Sequence, residues 1–277
     1  MKLDTVENAQ TDVNNSSGEE PSEESAFSSI RSFFLEVSLL TKFIVRFFAE
    51  LFKAPFEFGE IIKQSFQIGY RSFYLVVITG FIMGLVLTIQ ARPTLISFGA
   101  EAWLPAMVSV SIIREIGPVI TALICAGKVG SGVGAELASM RVTEQIDAME
   151  VSGINPFKFL VVTRVIASTC MIPLLVVFAD TVSLSGSYLG VNLESDISFN
   201  LFFNQVFASI NFIDVLPAFI KAFFFGFGIA IISCYQGYYS GHGTEGVGRA
   251  SNLAVVYASL MIFILDMIAA QITNLFM

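Results

Sequence analysis

Apolar residues run almost uninterrupted through five stretches of the chain, at about 72–91, 104–126, 165–190, 214–236 and 253–275. Polar residues, glycine or proline bound each stretch. A helix needs roughly 20 residues to cross about 30 Å of hydrocarbon, and each stretch has that length or more. No alternation of period two competes with a helical reading. Segment 33–68 carries a different pattern. Lys42, Arg46, Glu50, Lys53, Glu57, Glu60 and Lys63 recur every three or four residues, while Phe43, Ile44, Phe47, Phe48, Leu51 and Phe52 occupy the other side. That spacing predicts an amphipathic helix lying in the membrane interface, kinked or split at Pro55. The plain alternative is a helix docked on the protein's own core. The predicted fold class is all-α integral membrane: five transmembrane helices, an N-terminal interfacial helix, and a short charged cytoplasmic helix described below.

Composition agrees with lipid as the main solvent. Of 277 residues, 55% are hydrophobic and 14% charged, against about a quarter charged in soluble domains. The net charge of −8 is mostly local. Residues 1–26 hold Asp4, Glu7, Asp12, Glu19, Glu20, Glu23 and Glu24 against Lys2 alone. This acidic tail is expected to be disordered, and it resembles neither a signal nor a transit peptide. The rest, 27–277, reads as one membrane domain. Cys125, Cys170 and Cys234 lie scattered in apolar segments without metal spacing and read as packing residues.

Basic residues orient the chain. Lys2, Arg31, Lys42, Arg46, Lys53, Lys63 and Arg71 precede the first span; Lys128, Arg141, Lys158 and Arg164 fall between the second and third; Arg249 falls between the fourth and fifth. The opposite loops hold Arg92 alone. The basic side is the cytoplasm, so the N-terminus is expected inside and the C-terminus outside.

The loop 127–158 on that side is the richest in signal. Its glycine-rich first part, Gly127 to Gly134, leads into a stretch that reads as one helix over 135–150, polar at Glu136, Arg141, Glu144, Asp147 and Glu150 and ended by Gly153 and Asn155-Pro156. A charged helix between two spans suits docking of a soluble partner; a merely solvated loop helix is the bland reading. The chain has no phosphate-binding loop of its own. Gly241-His-Gly-Thr-Glu-Gly246 matches a dinucleotide motif by letter, but it follows a membrane span rather than a strand. His242, the one histidine, has no partners for metal or catalytic work, and no metal site is expected.

Ile113-Arg-Glu-Ile-Gly-Pro118, Ala126-Gly-Lys-Val-Gly-Ser131, Ala135-Glu136, Met140-Arg-Val-Thr-Glu-Gln-Ile-Asp-Ala148 and Gly153-Ile-Asn-Pro156, with Gly246-Val-Gly-Arg249 and Leu265-Asp266 further on, resemble the MlaE/YrbE family of ABC transporter permeases over roughly 35–275. The resemblance implies a homodimeric permease in the bacterial inner membrane, its N-terminus cytoplasmic and its C-terminus periplasmic. It implies an ABC ATPase subunit underneath that binds ATP and Mg, an MCE-domain protein on the far side, in some members a STAS-domain subunit, and phospholipids or related lipids as cargo. It implies no cofactor and no enzymatic activity in this chain. Asp147-Ala-Met followed by Gly153 also resembles part of the coupling motif of ABC importers, so Glu136, Arg141, Glu144, Asp147 and Gly153 are the expected ATPase-coupling residues.

Charges inside spans are costly, at about 2.5–3.5 kcal/mol each on insertion scales, and mark candidate pathways. Arg114 and Glu115 lie mid-span. Adjacent on one helix, they cannot face each other, so each needs another partner. Lys221 and Asp266 fall at similar depth in the outer halves of spans four and five and are expected to pair, with Asp180 a rival. The four are the candidate lipid pathway. They would equally serve a secondary transporter or channel, or merely anchor helices in a scaffold. Gly80-x3-Gly84 and Gly186-x3-Gly190 permit close helix approach, and Pro118 and Pro173 are expected to kink their spans.

Overall fold

The computed structural model describes residues 23–54, 56–193, 197–241 and 243–275. Most of the acidic tail, Pro55 and His242 therefore lie outside the described residues. Among those described, every regular element is helical. The chain divides into two compact units, 1–46 and 47–277. In the first, α1 (Glu23–Leu51) begins within the acidic segment and runs on into the second unit. Its Phe34, Leu35, Leu39 and Val45 are exposed.

In the second unit, five helical segments are long and apolar enough to cross a membrane: Phe58–Ser97, Glu101–Val142, Phe157–Asn192, Phe212–Tyr238 and Gly243–Thr273. The first four exceed the bounds read from hydropathy at both ends and the fifth at its start, because the helices continue past the apolar run into polar sequence. The largest differences are at the start of the first span and the end of the second. Residues 58–68 belong to α2 (Phe58–Ser97) and continue straight into the first span. The segment 33–68 is split, as expected, into two helices with a break between Leu51 and Phe58 that brackets Pro55. Phe47 is buried and meets Phe227 of the fourth span edge-on at 5.6 Å. This end of α1 takes the docked arrangement.

The second span is a composite. A 3₁₀ turn (Glu101–Trp103) leads into α3 (Leu104–Ser111), a π-helical turn (Ile112–Ile116), α4 (Gly117–Cys125), a second π turn (Ala126–Gly130) and α5 (Ser131–Val142). Pro118 explains the first π turn. It has no N–H to give to the carbonyl four residues back, so the ladder widens just before it. The run of 42 residues would measure about 63 Å, twice the hydrocarbon thickness. Its last turns must therefore stand clear of the lipid.

A third π turn (Phe157–Val162) precedes α7 (Thr163–Asn192), which contains Pro173; α6 (Gln145–Val151) lies before it in the loop. The fourth and fifth spans are α9 (Phe212–Tyr238) and α10 (Gly243–Leu275). Between spans three and four lies α8 (Phe199–Ser209), which the hydropathy pattern does not reveal. Its 11 residues are too few to cross. Ser198 caps it by accepting from the Leu201 N–H at 3.4 Å. Phe202 and Val206 bury against Leu104, Val108 and Ile112 of the second span, leaving Phe199, Leu201 and Phe207 outward.

The first and third spans form the most extensive helix pair, and small residues make it possible. A Cβ on Gly84 would overlap the Ser183 carbonyl, and one on Gly186 would overlap the Phe81 carbonyl. Backbones this close exchange polar contacts: the Ser183 hydroxyl donates to the Gly80 carbonyl at 2.8 Å, and Thr88 donates to the Ser187 hydroxyl at 2.7 Å. In lipid such packing, not the hydrophobic effect, holds helices together.

Gly84→Ala should therefore separate the first and third spans and destabilise the fold by about 1–3 kcal/mol, the usual range for overpacking. Gly248→Ala is the control, since a Cβ there meets nothing within 4 Å and alanine favours a helix by nearly 1 kcal/mol. Thermal unfolding in detergent should show a lower midpoint for the first variant and an equal or higher one for the second.

Candidate functional site

The π turn at 112–116 sets the geometry of the membrane site. It holds Arg114 and Glu115 and shifts the phase of the second span. Both side chains find partners on α9. Glu115 Oε2 accepts from Lys221 Nζ at 2.7 Å. Arg114 Nε stands 3.9 Å from Asp214 Oδ1 at the start of α9. Asp214 also accepts from the Asn211 backbone N–H at 3.1 Å in a capping box. Asp214 is absent from the residues that hydropathy singles out, because it reads as a mere helix boundary. The signal was its position seven residues before Lys221, two turns along one helical face.

Lys221 also donates to Asp266 Oδ1 of α10 at 2.9 Å. The expected Lys221–Asp266 pair is present as half of a three-residue cluster spanning the second, fourth and fifth spans. Lys221 is 5% exposed, so its ammonium has exchanged water for two carboxylates. Charge-assisted bonds of this length are the stronger kind, and a buried charge requires them. Asp180 does not bond Lys221. Its Oδ1 is buried without a hydrogen-bond partner, pressed into the place where a side chain at Gly117 would stand.

Beside the cluster lies a cleft of about 380 Å³ between α9 and α10, lined by Leu216, Ile220, Phe224, Leu265, Ile268 and Ile272. Lys221 is the one charged side chain among the described residues that line it. The cleft is thus a hydrocarbon-like surface with one ammonium on its wall.

The loop site departs from the expected single helix over 135–150. Residues 135–142 are the end of the protruding α5; α6 is separate. Glu144 makes the break, taking φ of +56° in the left-handed region, where non-glycine residues are uncommon. Arg141 Nη1 bonds Asp147 Oδ1 at 2.6 Å across the corner and so fixes the angle between the two helices. Gly153, at φ +79°, ends α6: Ile154 N–H donates to the Met149 carbonyl and Gly153 N–H to that of Glu150, both at 3.0 Å. That double closure is a Schellman motif, and glycine is the residue that adopts it without strain.

Of the five expected coupling residues, Glu136 has another task. It binds the buried Arg164 of the third span at 3.0 Å and ties two spans together. Glu144, Asp147 and Glu150 are exposed, and beside them Val151 is 90% exposed. Val151 passes unnoticed in the sequence as one apolar residue among many. The loop is also tied to the end of α1, where Asn155 donates to Glu50 at 3.0 Å, and to the segment after it, where Lys158 donates to the Lys53 carbonyl.

Comparison with known proteins agrees with this architecture. The family model for Permease MlaE matches residues 61–272. A probable ABC transporter permease protein of Rickettsia prowazekii is 41% identical over 224 residues, covering 81% of this chain and 86% of its own. The intermembrane phospholipid transport system permease protein MlaE of Haemophilus influenzae is 32% identical over 254 residues, covering 85% and 96%. A probable ABC transporter permease protein of Synechocystis is 37% identical over 203 residues, covering 73% and 77%. The match takes in all five spans, the charged cluster and the α5–α6 corner, and this chain belongs to the MlaE permease family.

Proposed function

We propose that this chain is the transmembrane permease subunit of an ATP-driven transporter that moves phospholipids or related lipids between inner and outer membranes. The observation that carries the reading is Lys221, a lysine held by two carboxylates on the wall of an apolar cleft. An acyl chain suits the cleft, and the Lys221 cluster is the polar feature that a headgroup would meet on its wall. Arg114 and Glu115, on the second span, complete the polar side of the path. One chain supplies only a cleft, so a second copy related by a two-fold axis would close the pathway.

The same reading assigns ATP and Mg to a separate ABC ATPase subunit that docks on α6 through Glu144, Asp147, Glu150 and Val151. Arg141 and Gly153 hold α6 at its angle. Movement of α6 would pass through the rigid α5 to the second span and its charged cluster. An MCE-domain protein is the expected partner on the opposite face, and a STAS-domain subunit a further candidate. The membrane would be the bacterial inner membrane, with the N-terminus cytoplasmic and the C-terminus periplasmic. Transfer of labelled phospholipid by the reconstituted complex should require ATP. Gradient-driven flux by this chain without an ATPase would overturn the reading in favour of a secondary transporter.

Lys221→Met should be the most damaging change in the cluster, since it strands two carboxylates, whereas Glu115→Gln or Asp266→Asn leaves the lysine one partner. Breaking a buried ion pair from one side costs about 3–5 kcal/mol. A double-mutant cycle of Lys221→Met with Asp266→Asn should return a coupling of about 0.5–3 kcal/mol in unfolding, and lipid transfer should fall with each single change. Zero coupling in both measurements would remove the cluster from the mechanism.

Glu144→Lys combined with Glu150→Lys should release the ATPase while membrane insertion and thermal stability stay unchanged. Copurification yield is the readout. Asp147→Lys is a poorer probe, because it also breaks the Arg141 bond and would confuse a lost contact with a displaced helix.

A further inference from the structure

A second cleft, of about 360 Å³, opens on the face of the membrane from which α5 projects, between the start of α2 and the end of the second span. Gln64, Gln67 and Arg71 line it from α2, and Lys128, Gly132 and Glu136 from the second span. Its charge is unbalanced. Glu136 is occupied by Arg164 at 3.0 Å, and among the described residues neither Arg71 nor Lys128 has a carboxylate within ion-pair distance. Two unneutralised cations therefore flank a polar hollow that already contains two side-chain amides.

Depth says what such a hollow would meet. Arg71 is 26 residues before Ser97, about 39 Å along α2, and Lys128 is 24 residues past Leu104, about 36 Å along the second span. From either helix the pair falls just beyond about 30 Å of hydrocarbon, at the level of the lipid headgroups. The aromatic residues on α2 agree independently. Phe66 and Tyr70 stack at 5.4 Å, Tyr70 and Tyr74 meet at 6.0 Å, and all three are exposed. Exposed tyrosines on a spanning helix mark the interface between hydrocarbon and water.

We propose that this cleft binds the phosphate of an anionic phospholipid in that leaflet, with Arg71 and Lys128 clasping the phosphate, the Gln67 amide donating to headgroup oxygens while that of Gln64 is held by Glu60 at 2.8 Å, and the acyl chains lying along the aromatic side of α2. The site is separate from the Lys221 cluster and needs no nucleotide, so it stands or falls independently of the transport reading. A lipid seated there would bridge the first and second spans where the latter leaves the membrane. It would thereby make the stiffness of α5 depend on the surrounding lipid.

The test uses the full chain in mild detergent, titrated with phosphatidylglycerol or phosphatidylcholine in mixed micelles and read by native mass spectrometry for retained lipid. Phosphatidylglycerol should be retained selectively. Two basic side chains near a membrane surface, each worth about 1 kcal/mol, correspond to roughly 30-fold in affinity, and Arg71→Gln with Lys128→Gln should lose about that much. Arg71→Lys with Lys128→Arg should keep most of the binding, showing that a neutral pair fails for want of charge and not of fold. Lys63→Gln, on the same helix but outside the cleft, should change nothing. An equal loss with Lys63→Gln would reduce the effect to general surface charge and overturn the site. Displacement of the lipid by inorganic phosphate at equal concentration would overturn the lipid assignment in favour of a free-anion site.

Discussion

A lysine ammonium inside a membrane protein must be neutralised by its neighbours, and much of this fold follows from where Lys221 finds its two carboxylates. Glu115 and Asp266 lie on different spans, so one side chain fastens the second, fourth and fifth helices at a single depth. The arrangement is specific because the alternatives are expensive: each charge left alone in lipid costs several kcal/mol, and any sliding of one helix against the others would leave one alone. The cluster holds two acids to one base and is therefore one that a further positive group, or a moving lysine, could rebalance.

Helix irregularity serves the same end. The second span departs from regular α-helix at Ile112–Ile116, where Arg114 and Glu115 lie. Both side chains of this turn, just ahead of Pro118, find partners on α9. The departures from regular helix thus coincide with the residues that carry charge, as π turns often do at functional positions.

The protruding end of the second span is braced on both sides. Its α5 is continuous with the span, is clamped to the third span by Glu136 and Arg164, and meets α6 at a corner closed by Arg141 and Asp147. The loop beyond is tethered near residues 50–53.

The sequence by itself determined the fold class, the number of spans and the residues at risk in lipid. Those follow from hydropathy and from the cost of burying charge, which are local quantities summed along the chain. That some helix could approach closely at Gly84 and at Gly186 was legible in their small-residue spacing; that the first and third spans meet there was not. Tertiary structure alone decided the partners. That Glu115 joins Lys221 and Asp266, that Arg114 reaches Asp214, that Glu136 clamps Arg164, and that Asp180 stays unpaired all depend on the rotation of one helix against another. Rotation depends on packing across the whole bundle, which no short-range pattern reports. Helix α8 escaped for a related reason: its amphipathic face becomes visible only when Leu104 and Val108 are there to receive it.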